Sequence, residues 1–495
     1  MASLDFEPQT YGELSPERRP TLAQALVPIL GVVVFLGVGS GYLGMNPHAP
    51  LVWSVVLTGL VGYYWMDLSW DVLYEGIADG LLMGLQAILI LFTIYALIAT
   101  WVSAGTIPGL MHYGLSILTP EVFLPATAIL AAVVAFSIGS SWTTAGTLGV
   151  AFVGIGSGLG IPAPMTAGAI LSGAYAGDKQ SPLSDTTNLA AAVTNTNLYD
   201  HIRAMRTGTA IALGLSLILY ALLGLRAGGA IPEGRVAEIQ GALAGTYDLS
   251  VFVFLPLVVT FGLALYGYPA LPSLVAGVFA GVFTTMAVQG VGFTAAWDVF
   301  LNGTAPQTGT KLVNDLLAQD GLTGSAWTIT VVVAALSLGG LLERLGVLAV
   351  LAHHLAQGVR SGTSLVATSG LSAILVNIFS AQQYMAIVIP GMTLRNLYDE
   401  YDLESSDLSR AVEAAGTPTG ALIPWHAGAV YMSSVFGVPT LAFSWGEPAT
   451  ILNSYFPFYF FAFLSPLVLF VMTLLGRATT PKDSADSSVP SSADD

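Results

Sequence analysis

Long apolar runs recur along the whole of this 495-residue chain, and charged residues make up only 9% of it. An average soluble domain carries about 25% charged residues, because a surface in contact with water needs them. Apolar runs of membrane-spanning length therefore predict an all-α polytopic membrane protein. The sequence lacks the alternating segments of about ten residues that build an outer-membrane barrel.

The apolar runs predict about ten to twelve complete transmembrane helices, since a crossing needs about 20 residues and some runs are shorter. Together they form one transporter domain over residues 21–477, between a polar N-terminal arm at 1–20 and a disordered acidic tail at 478–495. The predicted runs cover residues 22–43, 50–66, 83–103, 121–138, 142–160, 163–176, 183–194, 205–225, 249–267, 269–289, 325–341, 363–391, 417–436 and 452–475.

The charge balance indicates the cellular setting. The net charge is −16, and the chain has 14 Lys and Arg residues against 30 Asp and Glu. Acidic, lysine-poor exposed segments suit concentrated salt, which predicts the cell (plasma) membrane of a halophilic archaeon; merely acidic loops are the alternative. Arg18 and Arg19 before the first run predict a cytoplasmic N-terminus, and Arg203 and Arg206 predict another cytoplasmic loop. The sequence has no basic stripe that would indicate a nucleic-acid partner, and the absence of cysteine excludes thiol chemistry.

An internal similarity at an offset of 241 or 242 residues predicts two related halves. Paired repeats with discontinuous helices are typical of secondary transporters, whereas chance similarity among apolar helices is the alternative. We expect repeat one, about 75–195, to superpose on repeat two, about 315–437, in an inverted orientation, as an odd number of spans per repeat would require. The matched stretches are IADGLLMGL around Asp79 with LAQDGLTGS around Asp320, DKQSPLSD around Pro182 with GALIPWHA around Pro424, and GSSWTTAG from Gly139 with AQQYMAIV from Ala381.

The most polar stretch between apolar runs is SGAYAGDKQSPLSDTTNLAAAVTNTN, residues 172–197. A charge in hydrocarbon costs roughly 2.5–3.5 kcal/mol on insertion scales, so two carboxylates beside the helix breakers Gly177 and Pro182 predict an unwound helix facing a cavity. Carboxylates, hydroxyls and free carbonyls are the ligands that a small hard cation prefers. A cytoplasmic loop with a surface Asp178–Lys179 pair is the alternative. The candidate ion ligands are Asp178, Ser181, Asp185, Thr186, Thr187 and Asn188, with Lys179 as a secondary candidate.

Two further stretches are rich in hydroxyls or helix breakers. GSSWTTAGTLG, residues 139–149, offers hydroxyl and carbonyl ligands or a helix-packing face. GTPTGALIPWHAGAVY, residues 416–431, contains His426, which either switches a proton near neutral pH or forms a hydrogen bond at a helix end. Glu343 is a further buried-acid candidate, although Arg344 beside it favours an interfacial helix end. These stretches give the ion-ligand candidates Ser140, Ser141, Thr143 and Thr144, and the secondary candidates are Trp142, Glu343, Gln382, Gly416, Thr417, Thr419 and His426.

In order and spacing, GSSWTTAGTLG, GAYAGDKQSPLSDTTNL and GTPTGALIPW resemble the signature stretches of NhaC-type Na⁺/H⁺ antiporters, a family of the ion transporter superfamily. The resemblance covers about residues 20–475 and implies secondary active transport, with the candidates between Asp178 and Asn188 as the ion site. The sequence departs from the family in two places. An EDTGT-like stretch reads EAAGT from Glu413, and His426 stands where the family commonly has Asn. The missing acid leaves ion identity and stoichiometry open.

These observations predict exchange of Na⁺ for H⁺ through a carboxylate that binds either ion but not both. We expect Asp185 to be that carboxylate, and Asp178 to matter less if it is mainly paired with Lys179. The partners are then Na⁺, H⁺ and membrane lipid, no cofactor is needed, and a homo-oligomer is left open. An exchanger of a dicarboxylate, hydroxy acid or amino acid is the first alternative; an intramembrane protease and a passive channel are weaker. No G-x-S-x-G or Walker A sequence supports an enzyme.

Overall fold

The computed structural model describes residues 11–16, 18–227, 234–442 and 448–482, and most of these residues are helical. The helices up to the middle of the chain are α1 (Leu22–Val34), α2 (His48–Leu60), α3 (Trp70–Met83), α4 (Leu85–Ser103), α5 (Thr106–Ile117), α6 (Pro120–Ile138), α7 (Ser141–Gly158), α8 (Ala163–Asp178), α9 (Asp185–Val193) and α10 (Leu198–Ala227). They are followed by α11 (Arg235–Thr246), α12 (Leu255–Leu265), α13 (Ala270–Ala287), α14 (Phe293–Asn302), α15 (Lys311–Leu317), α16 (Gly321–Arg344), α17 (Val347–Ala356), α18 (Gly362–Ser380), α19 (Gln383–Glu400), α20 (Ser405–Thr419), α21 (Ala427–Phe436) and α22 (Phe460–Leu474).

The helices confirm an all-α polytopic membrane protein. Within the described ranges, seven helices are long and apolar enough to cross a membrane, or eight if α11 and the bent segment after it form one span. The predicted total of ten to twelve spans is reached only if shorter or more polar helices such as α8 and α20 are counted as spans. The predicted run 363–391 is divided at Ala381 into α18 and α19. Exposed apolar side chains such as Leu30, Val133 and Phe136 give the bundle a surface suited to lipid.

Small residues let α8 pack tightly against α6 in the middle of the bundle. A Cβ atom at Gly173 would overlap the carbonyl oxygen of Ala128, and one at Gly177 would overlap that of Ala132. Only glycine allows two helix backbones to approach this closely. As a result α8 is buried along most of its length, and its C-terminal residue Asp178 lies inside the protein.

Two helix breaks share the same geometry. The 19-residue helices α6 and α18 end at Gly139 and Ala381, which are 242 positions apart and both adopt the left-handed conformation, with φ of 71° and 54°. Each is followed by an extended residue, Ser140 or Gln382, and then by an 18-residue helix, α7 or α19. Ala381 is the more costly of the two, because a Cβ atom disfavours this conformation.

Most cationic side chains gather at one end of the bundle, which we call the basic end. Hydrogen bonds between Thr196 and Ser405 and between Glu404 and Thr480 tie its chain segments together. Arg203 and Arg206 lie at the start of α10, whereas Arg226 lies in its last turn, at the opposite end. The basic end carries Arg18, Arg19, Arg203, Arg206, Arg360, Arg395, Arg477 and Lys482, and the opposite end carries Arg226, Arg235 and Lys311.

Both terminal segments contact the body where the structure describes them. Tyr11 stacks on His353 with ring centroids 3.8 Å apart. At the other terminus, the Thr480 N–H donates to the buried carboxylate of Asp407 at 2.5 Å, and Lys482 pairs with Asp399 at 2.5 Å. Residues 1–10 of the predicted arm and residues 483–495 of the predicted disordered tail lie outside the described residues.

Candidate functional site

The predicted unwound stretch is the connection between α8 and α9. Lys179 follows the last residue of α8, and Ser184 caps α9 by accepting a hydrogen bond from the Thr187 N–H. Ser181 is fully buried in this connection, where its hydroxyl accepts from the Leu183 N–H at 3.2 Å. The exposed Asn188 donates to the carbonyls of residues 182 and 184, at 2.9 and 2.6 Å. Ser181 and Asn188 therefore hold the backbone of the connection in place.

Asp178 is the buried carboxylate of this segment, with 2% of its surface exposed. Its Oδ2 accepts a hydrogen bond of 3.1 Å from the backbone N–H of Ser141, the first residue of α7. The positive end of the α7 dipole stabilises a negative charge at this position. The hydroxyls of Ser141 and Ser184 face the same carboxylate. Its second oxygen, Oδ1, has no hydrogen-bond partner among the described residues.

The Asp178–Lys179 pair considered from the sequence is not among the ion pairs of the described residues. Successive residues at a helix end project in different directions. Lys179 is fully buried and its Nζ donates to the backbone carbonyl of Glu413 in α20, at 2.7 Å. The alternative of a surface ion pair in a cytoplasmic loop is excluded by the same burial. Lys179 thus connects the two halves of the chain, which are more than 200 residues apart in sequence.

Glu413 is the site residue that the sequence analysis did not select. Its carboxylate is fully buried, and Oε1 accepts a 3.1 Å hydrogen bond from the hydroxyl of Thr186. The hydroxyl of Thr417, one turn further along α20, faces the same carboxylate. The second oxygen of Glu413, Oε2, has no partner in the described part of the chain. The sequence does contain a signal for Glu413, because Asp407, Arg410 and Glu413 recur every three residues in a helix between apolar segments.

Unlike the buried Asp178 and Glu413, Asp185 is exposed, and it faces a cavity of about 190 Å³. Its Oδ1 accepts from the Thr186 N–H at 2.8 Å, and the Tyr384 hydroxyl donates to its Oδ2. Gln382 and Gln383, at the start of α19, line the same cavity. The cavity also reaches Asp178, so it joins both carboxylates of the predicted motif. No sequence pattern indicated Tyr384, because its partner lies 199 residues away.

The hydroxyls of the α7 motif divide into two groups. Ser140 caps α7 by accepting from the Thr143 N–H at 3.2 Å, and the Thr144 hydroxyl donates to the Ser140 carbonyl at 2.9 Å. These two groups are satisfied within the helix. The hydroxyls of Ser141 and Thr143, by contrast, are buried with no partner among the described residues, as is that of Thr187 in α9. Ser141, Thr143 and Thr187 are therefore the better candidates for binding an ion.

The remaining secondary candidates have structural contacts. The Gly416 carbonyl accepts from the Asn377 amide at 2.7 Å, and the Thr419 hydroxyl donates to a carbonyl of its own helix. His426 is buried and caps α21, where its Nδ1 accepts from the Gly428 N–H at 2.9 Å. This is the helix-end role that the sequence left open for it. Glu343 is buried in the last turn of α16, beside Arg344, which binds Glu75 of α3.

An aromatic pair lies between the site and a second, larger cavity. Trp142 lines the 190 Å³ cavity, and its ring stacks on the buried ring of Tyr431 with centroids 4.7 Å apart. The Tyr431 hydroxyl donates to the Trp142 carbonyl at 2.7 Å. Neighbours of Tyr431 in α21, Val430 and Ser434, line a cavity of about 990 Å³ that extends to Asp320, toward the end opposite the basic end.

The donor set consists of hard oxygens from two halves of the chain. Asp178, Thr143 and Thr187 come from the first half, and Glu413 and Thr417 come from the second. Within the described ranges, no three His, Asp or Glu side chains come together as a metal centre. Carboxylate and hydroxyl oxygens are ligands that hard cations prefer.

Comparison with known proteins identifies the family. The model of the Na⁺/H⁺ antiporter family matches residues 20–178 and 173–477. The chain is 52% identical to the arginine/ornithine antiporter ArcD of Halobacterium salinarum, over 98% of both chains. It is 35% identical to the Na⁺/H⁺ antiporter NhaC of Alkalihalophilus pseudofirmus, over 93% of this chain and 97% of the relative.

A third relative is the malate-2H⁺/Na⁺-lactate antiporter of Bacillus subtilis, which is 34% identical over 86% of this chain and 91% of its own. All three relatives are antiporters by name, and they differ in the solutes that they exchange. The resemblance drawn from the three polar stretches is thus confirmed over almost the whole chain, and this multi-pass membrane protein belongs to the Na⁺/H⁺ antiporter family.

Proposed function

We propose that this protein is a cation antiporter that exchanges Na⁺ for H⁺ at Asp178 and Glu413. The observation that carries the proposal is a pair of buried carboxylate oxygens, Asp178 Oδ1 and Glu413 Oε2, with no hydrogen-bond partner among the described residues. A buried ionised carboxylate is costly unless a cation or a donor compensates it. Either a proton or a Na⁺ ion meets this need, so the two ions compete for the same oxygens.

Competition becomes exchange if the site is open to only one side of the membrane at a time. Asp185 faces the cavity beside the site and attracts cations to it. Trp142 lines this cavity, and neighbours of its stacking partner Tyr431 line the larger one. We infer that the stack is a barrier, and that its opening and closing alternates access to Asp178. The site changes the side to which it is open when it holds a proton or Na⁺, but not when a carboxylate is left uncompensated.

The helix breaks support two inverted repeats. The paired breaks at Gly139 and Ala381 lie 242 residues apart, the spacing found in the sequence. Near the end of α7, Ser157 accepts a hydrogen bond from Arg235, on the side opposite the basic end. The corresponding helix α19 instead ends at the basic end, next to Asp399. The equivalent helices therefore run in opposite directions, as repeats related by an axis in the membrane plane would.

The charge distribution supports a cytoplasmic N-terminus. Short loops on the cytoplasmic side are enriched in Lys and Arg, and the basic end carries most of these residues. The N-terminal segment lies at that end, where Tyr11 stacks on His353. We infer that the basic end faces the cytoplasm and that the larger cavity faces outward. The acidic, lysine-poor composition and the similarity to a Halobacterium protein support the cell membrane of a halophilic archaeon.

Exchange of cationic amino acids is the second candidate function. The arginine/ornithine antiporter is 52% identical over almost the whole of both chains, more than either of the other two relatives described above. The buried acids Asp178 and Glu413, with Asp185 in the adjoining cavity, also suit an organic cation. The 190 Å³ cavity lies below the roughly 300–1,000 Å³ typical of small-molecule sites, so a bulky substrate would need the larger cavity or a wider conformation.

The test is transport by the purified full-length protein in proteoliposomes that contain a pH-sensitive dye. In a KCl medium, pulses of Na⁺, Li⁺, arginine, ornithine and malate are added in turn. Na⁺-dependent proton movement that is lost in Asp178→Asn is the expected result. In parallel, vesicles loaded with ornithine are assayed for uptake of radiolabelled arginine.

The two candidates give different outcomes in these assays. Arginine uptake driven by internal ornithine, with no proton movement on addition of Na⁺, would replace Na⁺/H⁺ exchange with the second function. Dissipative Na⁺ flux without proton movement would indicate a channel and contradict both. The control is Asp399→Asn, which removes an exposed acid of the same type at the basic end.

A further inference from the structure

Lys179 is the buried charged group that the proposed exchange does not use. It is one of only three lysines in the chain, and its side chain is completely buried. Burying an ammonium group is expensive unless it is paired with an opposite charge. None of the ion pairs in the described ranges includes Lys179. A buried lysine without an ion pair requires an explanation.

The polar contacts of Lys179 are few. Nζ donates to the backbone carbonyl of Glu413 at 2.7 Å, and it lies 5.6 Å from the ring centroid of Phe461. An ammonium group has three N–H donors, and one hydrogen bond to the described residues leaves donors available. The carboxylate of the same residue, Glu413, has one oxygen without a partner. The cation and the carboxylate are therefore neighbours that are not joined in this conformation.

We propose that Lys179 is a tethered competitor for the transported cation. When that cation leaves the site, the ammonium group moves from the Glu413 carbonyl to the Glu413 and Asp178 carboxylates. When a cation binds, it displaces the ammonium group to the position seen here. The four-carbon stem of lysine carries a compact point charge and allows such a movement by rotation about its single bonds.

The charge of Lys179 matters in the return half of the cycle, when the transported cation has left the site. Moving ionised carboxylates without a cation through a low-dielectric barrier costs too much free energy. The Lys179 ammonium compensates one of those charges, so the return half of the cycle needs fewer imported protons. This inference rests on the proposed cation exchange, and it concerns the same site.

The experiment compares four variants of the full-length protein in proteoliposomes: Lys179→Met, Lys179→Gln, Lys179→Arg and Lys482→Met. Met removes the charge at similar volume, Gln keeps a donor for the Glu413 carbonyl, and Arg keeps the charge. Lys482→Met is the control, because Lys482 pairs with Asp399 at the surface. Three quantities are measured: equilibrium binding of radioactive Na⁺, Na⁺/Na⁺ exchange and net Na⁺/H⁺ exchange.

Removing a competing charge should tighten Na⁺ binding. One unit charge at close range in a partly desolvated site changes a binding constant by about ten-fold or more, so Lys179→Met should bind Na⁺ at least about ten-fold more tightly than wild type. Its Na⁺/Na⁺ exchange should persist, because the site then holds Na⁺ in both half-cycles. Its net Na⁺/H⁺ exchange should fall, because the return step has lost its compensating charge. Lys179→Arg and the control should keep affinities near that of the wild type.

Three results would overturn the inference. The first is a folded Lys179→Met variant with wild-type Na⁺ affinity, and the second is parallel loss of both exchange modes in folded protein. The third is failure of both neutral variants to fold while Lys179→Arg folds, which would make Lys179 a structural residue. If the wild type itself neither binds Na⁺ nor moves protons with it, the proposed function fails instead.

Discussion

Replacing Asp178 by Asn tests the proposed ion site most directly. The change keeps the shape of the side chain and its ability to accept the 3.1 Å hydrogen bond from the Ser141 N–H, but it removes the charge. Folding should be little affected. The carboxylate gains about 0.3–2 kcal/mol from the N-terminus of α7, whereas a neutral amide at this position avoids the larger cost of burying a charge.

The effect on ion binding should be much larger. Two unit charges 4 Å apart interact by about 4 kcal/mol at an effective dielectric constant of about 20. Each 1.4 kcal/mol corresponds to a factor of ten, so loss of this term lowers Na⁺ affinity by up to about a thousand-fold. The amide oxygen recovers part of the loss as a neutral ligand. We therefore expect the Na⁺ affinity of Asp178→Asn to fall by at least about a hundred-fold.

The assay is Na⁺-dependent proton movement in proteoliposomes, measured over a range of Na⁺ concentrations at several pH values. Thermal unfolding in detergent checks that each variant is folded. Asp399→Asn supplies the same chemical change at an exposed position, and it should behave as wild type. A folded Asp178→Asn variant whose apparent Na⁺ affinity stays within about three-fold of wild type at every pH would refute the reasoning. The ion would then have to bind at Asp185 or Glu413.

Three further predictions follow from other parts of the structure. Glu413→Gln keeps a hydrogen-bond acceptor for Thr186 but removes the second site charge, so it should also lose most Na⁺-dependent proton movement; wild-type transport would exclude Glu413 from the site. Asp407→Asn breaks the buried pair with Arg410 and should lower the free energy of unfolding by about 3 kcal/mol, so an unchanged melting temperature would contradict it. In this cysteine-free chain, Ala244→Cys should react with an impermeant thiol reagent added to intact cells, whereas Ala204→Cys should not, and the reverse labelling would invert the proposed topology.

Much of the fold could be predicted because a membrane restricts what a backbone can do. Helices satisfy all their own hydrogen bonds, so apolar length alone indicates a span, as for α4, α6 and α13. Charge and helix breakers inside such a sequence indicate an irregular connection, and the residues between α8 and α9 lie outside helices. The left-handed residue Ala381 was not predicted, because alanine gives no sign of a turn.

The details of the site could not be predicted because they depend on contacts between distant segments. Lys179 follows Asp178 in sequence, and adjacency suggested a pair, yet the Lys179 ammonium donates its hydrogen bond to α20. Its actual partner, Glu413, is 234 positions away. The expected leading role of Asp185 stays untested, and the geometry instead favours Asp178, because Asp178 is buried and Asp185 faces a cavity.

The acid missing from the second half, at Ala414, changes the site less than the sequence suggests. Residues 413 and 414 project about 100° apart around α20. Ala414 belongs to an apolar cluster with Leu469 of α22, and its carbonyl accepts a 2.7 Å hydrogen bond from Ser465. An acid at 414 would therefore point toward α22, whereas Glu413 points toward Lys179 and Thr186.

The charges that remain set a limit on the cations carried. Asp178, Asp185 and Glu413 against Lys179 leave a formal charge of minus two when all four are ionised. Two monovalent cations at most restore neutrality, and a third would be repelled. If Asp185 stays ionised in its cavity as an entry group, the buried part holds Asp178, Glu413 and Lys179, and a single cation neutralises it. We therefore expect one Na⁺ per cycle, and we expect Lys179→Met to raise the number of cations bound at saturation.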